Sequence, residues 1–202
     1  MTDQVIITFG RECGSGGHII AEQIASRLGI PVYNRNLLDE VAKEHNIENS
    51  ELHNFDEVPR NLFLSRSVGG YSNSPEELVA KMQFDYLREQ AALGKSFVVV
   101  GRCAEDVLKD YDCLISIFIT GNKEDKIKQI VKEDGLSPKE AEEFIHKKDK
   151  QRKSYHNFFS KTKWGDSRYY DLVFNASYFS IEQATDIIAD YIEARKKALH
   201  NN

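Results

Sequence analysis

Residues 6 to 24 read ITFGRECGSGGHIIAEQIA: a short apolar run, a knot of glycines, then the spacing of an amphipathic helix. Gly14, Gly16 and Gly17, placed after a strand and before a helix, can turn successive backbone N–H groups inward. The helix N-terminus then adds its partial positive charge. Together with Ser15, the chemistry this permits is the binding of an anion, phosphate above all. Two phosphate-loop patterns fit only in part. G-x-G-x-x-G, started at Gly14, meets Ile19 where its last glycine belongs. G-x-x-x-x-G-K-[ST], anchored on Gly16, puts Arg11 at the first glycine, Gly17 at the lysine and His18 at the hydroxyl. The plain alternative is a tight strand-to-helix turn, but a loop on the first strand of an α/β sheet is where phosphate is held.

A phosphate site also needs full positive charge. Residues 146 to 168, HKKDKQRKSYHNFFSKTKWGDSR, carry eight Lys or Arg against two Asp, a local +6 in a chain of net charge −5. One reading is a solvated basic helix face. Another is a nucleic-acid patch using Tyr155, Phe158, Phe159 and Trp164 as stacking residues. Paired with a glycine loop in an acidic protein, a cationic lid closing over phosphates explains the segment better. His146 and His156 lie within it and read as helix-surface residues rather than catalysts.

These groups must be positioned by a sheet and its helices. Five short runs, QVIITFG, PVYNR, SFVVVGR, CLISIFIT and YDLVFNAS, are rich in β-branched and aromatic residues and mostly continuous in apolar character. Strands buried on both faces of a parallel sheet read this way. Helical patterns separate them. Ser74-Pro75-Glu76-Glu77 and Ser137-Pro138-Lys139-Glu140 each place a capping serine before proline, with glutamate three residues on. Ser180-Ile181-Glu182-Gln183 repeats the cap with glutamine. The alternation predicts an α/β domain. GGYSNSP, residues 69 to 75, reads as a flexible loop.

With 202 residues the chain is expected to form one domain. Its 41% hydrophobic and 29% charged residues are ordinary for a globular protein, and the negative net charge argues against nonspecific nucleic-acid binding. Cys13, Cys103 and Cys113 form no C-x-x-C pair, so neither a disulfide framework nor a zinc site is expected. No run approaches the roughly 18 apolar residues of a membrane span, and the first residues lack the basic and apolar stretches of a signal peptide. A cytoplasmic protein with no membrane partner is the expectation. An oligomer is possible but not indicated.

Four segments taken in order resemble the cytidylate kinase-like family, a branch of the P-loop nucleoside monophosphate kinases. They are ITFGRECGSGGHIIAEQIASRLGIPVYNRNLL, FVVVGRCAEDVL, IHKKDKQRKSYHNFFSKTKWGDSRYYDLVFNAS and SIEQATDIIADYI. The resemblance implies a three-layer P-loop NTPase-type fold with a five-stranded parallel sheet. It further implies a helical acceptor arm at about residues 34–93 and a basic helical lid at about 137–168. ATP would be the phosphoryl donor, Mg2+ the metal, and CMP, dCMP or a related small molecule the acceptor, with no nucleic-acid partner. A nucleotide- or anion-binding protein without catalysis is the alternative.

By the same resemblance Gly14, Ser15, Gly16 and Gly17 would wrap the donor phosphates, with His18 and Arg11 beside them. Arg35 would meet the acceptor phosphate, or be a surface arginine. Arg102, in the Gly-Arg pair ending the third strand, would contact the acceptor. Arg152 would bridge donor and acceptor phosphates, and Asp149 would take a ribose hydroxyl or hold that arginine. Three positions apart on a helix, the two share a face. Cys103 stands where cytidylate kinases carry a base-reading aspartate, which predicts weak discrimination among acceptors. No Asp closes the third strand, so no magnesium ligand is named. Arg11, Arg102 and Arg152 together would restore the charge of the missing lysine.

Overall fold

A computed structural model describes residues 4–45, 56–57, 67–68, 71–72 and 74–200. The sheet is five-stranded and wholly parallel. In chain order its strands are β1 (Ile6–Arg11), β2 (Val32–Tyr33), β5 (Phe97–Val100), β6 (Leu114–Thr120) and β7 (Leu172–Asn175). Side by side they run β2-β5-β1-β6-β7, with Ile6 opposite both Phe97 and Leu114. A short antiparallel ladder, β3 (Ser67–Val68) with β4 (Tyr71–Ser72), stands apart from it. Part of the stretch expected to be a flexible loop is therefore paired strand; Gly69, Gly70 and Asn73 lie outside the described residues.

Alternation along the strands builds one apolar layer on each side of the sheet. Ile7, Phe9, Val98, Val100, Ile115, Ile117 and Ile119 face α1 (Gly17–Leu28) and α7 (Ile181–His200). Ile6, Phe97 and Val99 face α2 (Leu37–His45), α3 (Pro75–Ala92) and the one-turn α4 (Ala104–Val107). Burial on both faces accounts for the unbroken apolar run of β5 and the nearly continuous one of β6. The outer strands are paired on one side only: β2 has just two residues, and Val173 of β7 is exposed.

The helices start where their caps predict. The Ser74 hydroxyl accepts from Glu77 N at the head of α3. Ser137 and Glu140 form a reciprocal capping box at the head of α6 (Pro138–Phe159). Ser180 and Gln183 exchange the same pair of bonds, at 3.1 and 3.0 Å, before α7. Between β6 and α6 lies α5 (Lys123–Asp134), joined to α6 through Ile130, Ala141 and Ile145. That hairpin stands over the carboxyl ends of β1 and β6, so α6 faces the glycine loop.

Phe97 is fully buried and its ring packs 5.4 Å from that of Tyr33. Phe97→Ala should lower the unfolding free energy by about 3–5 kcal/mol, checked by urea denaturation.

Candidate active site

The loop after β1 is held from several sides. Glu12 N donates to Ile119 O at 3.0 Å, and the Ser15 hydroxyl donates to Glu12 O at 2.8 Å. Ser15 thus spends its hydroxyl on the loop itself. Gly14 and Gly16 take positive φ, and Gly16 is the N-cap of α1 without any side-chain cap. The first N–H groups of α1 are left without a capping acceptor, as an anion site requires. His18 is exposed on the first turn.

Gly17 explains itself sterically. A Cβ there would stand 2.7 Å from Arg11 Cβ and 3.0 Å from Ile119 Cβ. A lysine has no room to start, because β1 and β6 already press against the helix terminus.

A lysine nevertheless lies beneath the loop. Lys126, on α5, reaches Glu12 Oε2 at 2.9 Å and stands 4.0 Å from Asp149 Oδ2. Glu12 Oε2 also accepts from Thr120 Oγ1 at 2.6 Å and Gly121 N at 3.1 Å. Nothing in the sequence marked Lys126, since the run KEDKIKQ reads as a solvated helix face. Asp149 Oδ1 accepts from Cys13 N at 2.7 Å, so the α6 carboxylate grips the loop directly. It lies only 3.9 Å from Arg152 Nη1. Burial raises the Asp149 pKa, partly offset by the Cys13 N–H, Lys126 and Arg152.

Arg11, Arg102 and Arg152 converge on one cleft between the carboxyl ends of β1 and β5 and the inner face of α6. Gly10, Gly101, Tyr155 and Trp164 share its lining. Arg152 Nη1 donates to Arg11 O at 3.4 Å. Arg11 meets Glu57 through both terminal nitrogens, at 3.0 and 3.4 Å. Arg102 is fully buried; it donates to Asp56 Oδ2 at 2.6 Å and Val100 O at 2.9 Å, and lies 3.7 Å from Glu57. Burial alone would raise the Glu57 pKa, but Arg11, Arg102 and Arg152 outweigh it and hold the carboxyl far below the usual range. The Arg152 guanidinium is pushed down by burial and by Arg11. Two of the arginines expected to supply open positive charge are thus already paired with carboxylates, which sequence spacing had no means of revealing. Arg102 and Cys103 both take positive φ, an unusual backbone for such residues, and so aim the arginine back under β5. Arg35 is exposed beside β2 and is absent from the residues lining the cleft.

The expectation that His156 lies on the helix surface fails. It is 4% exposed; its Nε2 pairs with Glu105 Oε1 at 2.5 Å and its Nδ1 with Asn157 Oδ1 at 3.3 Å. The signal was helix phase: Ile145, Asp149, Arg152 and His156 recur at four, three and four residues, one inward stripe. His146, by contrast, is exposed as expected.

The sheet order, the glycine loop at the end of its central strand and the arginine-lined cleft define an α/β protein of the P-loop NTPase type. The sequence profile of the cytidylate kinase-like family matches residues 6–178, and the chain belongs to that family. An uncharacterized protein from Eubacterium ventriosum is 38% identical, with a TM-score of 0.74 over 94% of this chain and 99% of that one. A shikimate kinase from Bacteroides thetaiotaomicron shares the fold at 15% identity and TM-score 0.54, covering 94% and 98% of the two chains. A gluconokinase from Sinorhizobium meliloti does so at 11% identity and TM-score 0.56, covering 99% and 98%. No curated protein matches in sequence. Among the described residues no helix is long and apolar enough to cross a membrane. Family and fold together mark a kinase-like chain.

Gly17→Lys should therefore melt below wild type and bind ATP more weakly, by thermal scan and titration calorimetry; a gain in either would show that the loop lacks only charge. A second expectation concerns pH. Burial opposes charging His156, but its Glu105 hydrogen bond and the Glu105 and Asp106 charges win, so its pKa is raised above 6.5. The stabilisation is complete below the unfolded value and is lost as pH rises through the raised folded value. Melting temperature should fall over that window, within about pH 5 to 8 or just above, and Glu105→Gln should flatten the fall.

Proposed function

We propose that the protein is an ATP-dependent phosphotransferase that moves the γ-phosphoryl group to a small acceptor, most simply a pyrimidine nucleoside monophosphate such as CMP or dCMP. One observation carries this: three arginines line a single cleft at the carboxyl edge of a parallel sheet, and the glycine loop follows the central strand β1 at that same edge. In such sheets ligands bind at that edge. Phosphoryl transfer asks for positioning and charge stabilisation rather than a covalent nucleophile.

In this reading Gly14, Ser15, Gly16 and Gly17, with the open N–H groups at His18, cradle the donor phosphates. Arg11 stands beside them. Arg102 holds the acceptor phosphate, and Arg152, which lines the cleft and donates to Arg11 O, lies on the path of the transferred group; its planar fork suits two oxygens at once. Asp149 acts as a positioning residue, fixing α6 on the loop through Cys13. Residues 137–168 serve as the lid and residues 34–93 as the acceptor arm of one domain. Among the described residues no three His, Cys, Asp or Glu side chains gather as a metal site. The residues present do not by themselves form a magnesium cage, so Mg2+ would come with the nucleotide, ligated by phosphate and water.

The second reading, an anion-binding protein without catalysis, draws support from Asp56 and Glu57, which occupy the forks of Arg102 and Arg11. Turnover separates the two. ATP with Mg2+ at 100 times its dissociation constant should stabilise the fold by roughly 2.7 kcal/mol. Arg152→Ala should lose turnover by on the order of 10³ while nucleotide affinity changes far less, and Arg152→Lys should recover little of it. Near-normal kcat in Arg152→Ala would leave the binding reading in possession.

A further inference from the structure

The cleft is lined by polar groups to which the proposed roles give no work. Tyr155 is 2% exposed, yet its hydroxyl has no hydrogen-bond partner among the described residues; Arg11 Nε and Arg102 Nε are likewise unpartnered. All three are donors, and all three residues line the cleft. Burial pushes the Tyr155 hydroxyl well above its ordinary range, with Cys103, Glu57, Arg102 and Asp56 the charges that act on it. It therefore stays protonated and able to donate. A buried donor left unpaired is destabilising, and its natural complement is an oxygen that arrives with a ligand.

The other group is a carboxylate. Glu105 is 8% exposed, and its Oε1 accepts from His156 Nε2 at 2.5 Å and from the Tyr170 hydroxyl at 3.4 Å. No described group bonds its Oε2. Two segments distant in sequence thus hold one carboxylate at the cleft wall, beside Trp164 and Tyr170. An ionised carboxylate only accepts hydrogen bonds.

We propose that Tyr155 and Glu105 read the acceptor: the Tyr155 hydroxyl donates to a phosphate oxygen beside Arg102, and the free Glu105 oxygen accepts from an amino group of the same ligand. This rests on the phosphotransfer reading above. His156 and Tyr170 are positioning residues that hold Glu105 in place. The polar reader that Cys103 does not supply comes from one α-helical turn, two residues further on. An acceptor whose base bears an exocyclic amine meets Glu105 with a donor; one with a carbonyl there meets it lone pair to lone pair. Discrimination between CMP and UMP is thus restored rather than lost.

The test compares CMP with UMP in wild type, Tyr155→Phe and Glu105→Gln, by calorimetric binding and by kcat and KM with ATP. Each free protein is also melted. Tyr155→Phe should melt at or above wild type, because the lost hydroxyl had no partner, while KM for CMP rises roughly tenfold. Wild type should prefer CMP by about a hundredfold, and Glu105→Gln should shrink that ratio tenfold or more. The ratio is taken within one preparation, so partial unfolding cannot mimic it. Equal binding of CMP and UMP by wild type, binding of neither, or an unchanged ratio in Glu105→Gln would overturn the assignment. So would a lower melting temperature in Tyr155→Phe with unchanged KM. CMP bound selectively but never phosphorylated would instead refute the phosphotransfer reading and leave the site assignment standing.

Discussion

Three guanidinium groups share one largely buried cleft, and the rest of the site follows from what that requires. At an effective dielectric of about 20, two like charges about 4 Å apart repel by roughly 4 kcal/mol. Arginine stays protonated through such stress, so the cleft needs anions. Asp56 and Glu57 supply them, and the Glu57 carboxylate lies over Gly101, where a Cβ would crowd both it and the Arg11 guanidinium. Breaking such a pair without replacing the anion is strongly destabilising, whereas exchanging one anion for another is not. A phosphate offers the same acceptor oxygens with more charge. The arrangement therefore suits a ligand that is itself anionic and poorly suits a neutral one.

The same crowding accounts for the departure from the usual phosphate loop. In that pattern a lysine rises from the first turn of the helix. Here Arg11 occupies the position of the first glycine, and its Cβ takes the space that a residue-17 side chain would need. Positive charge enters instead from neighbouring elements: Lys126 from α5, under the loop, and Arg152 from α6, across it. Cation and loop are no longer one segment of sequence, and their geometry depends on how α5 and α6 dock.

That dependence marks the line between what was legible in the sequence and what was not. Strands β1, β5 and β6 declared themselves because burial on both faces leaves a nearly continuous apolar run, and serine caps declared α3, α6 and α7 because capping is local. The glycine loop was legible for the same reason. Glu57, Glu105 and Lys126 were not, since each gains meaning from a partner 46, 51 or 114 residues away. His156 lies between these cases. Its phase against Asp149 and Arg152 was present in the sequence, but the surrounding lysines made the whole helix read as solvated.

Both readings of that basic helix hold at once, on different faces. Lys147, Lys150 and Lys153 point to solvent, while Asp149, Arg152, Tyr155 and His156 form the inward stripe. The exposed lysines concentrate positive charge on this helix in an otherwise acidic protein, a distribution whose pull on anions weakens with salt. The inner stripe does different work with short-range contacts: Asp149 on the loop, Arg152 on Arg11, His156 on Glu105. Because three residues spaced along one helix touch the loop, Arg11 and the Glu105 carboxylate, none of these can shift much relative to the others while α6 stays docked. A ligand spanning the cleft would meet a frame whose spacing is set by helical rise rather than by loop adjustment.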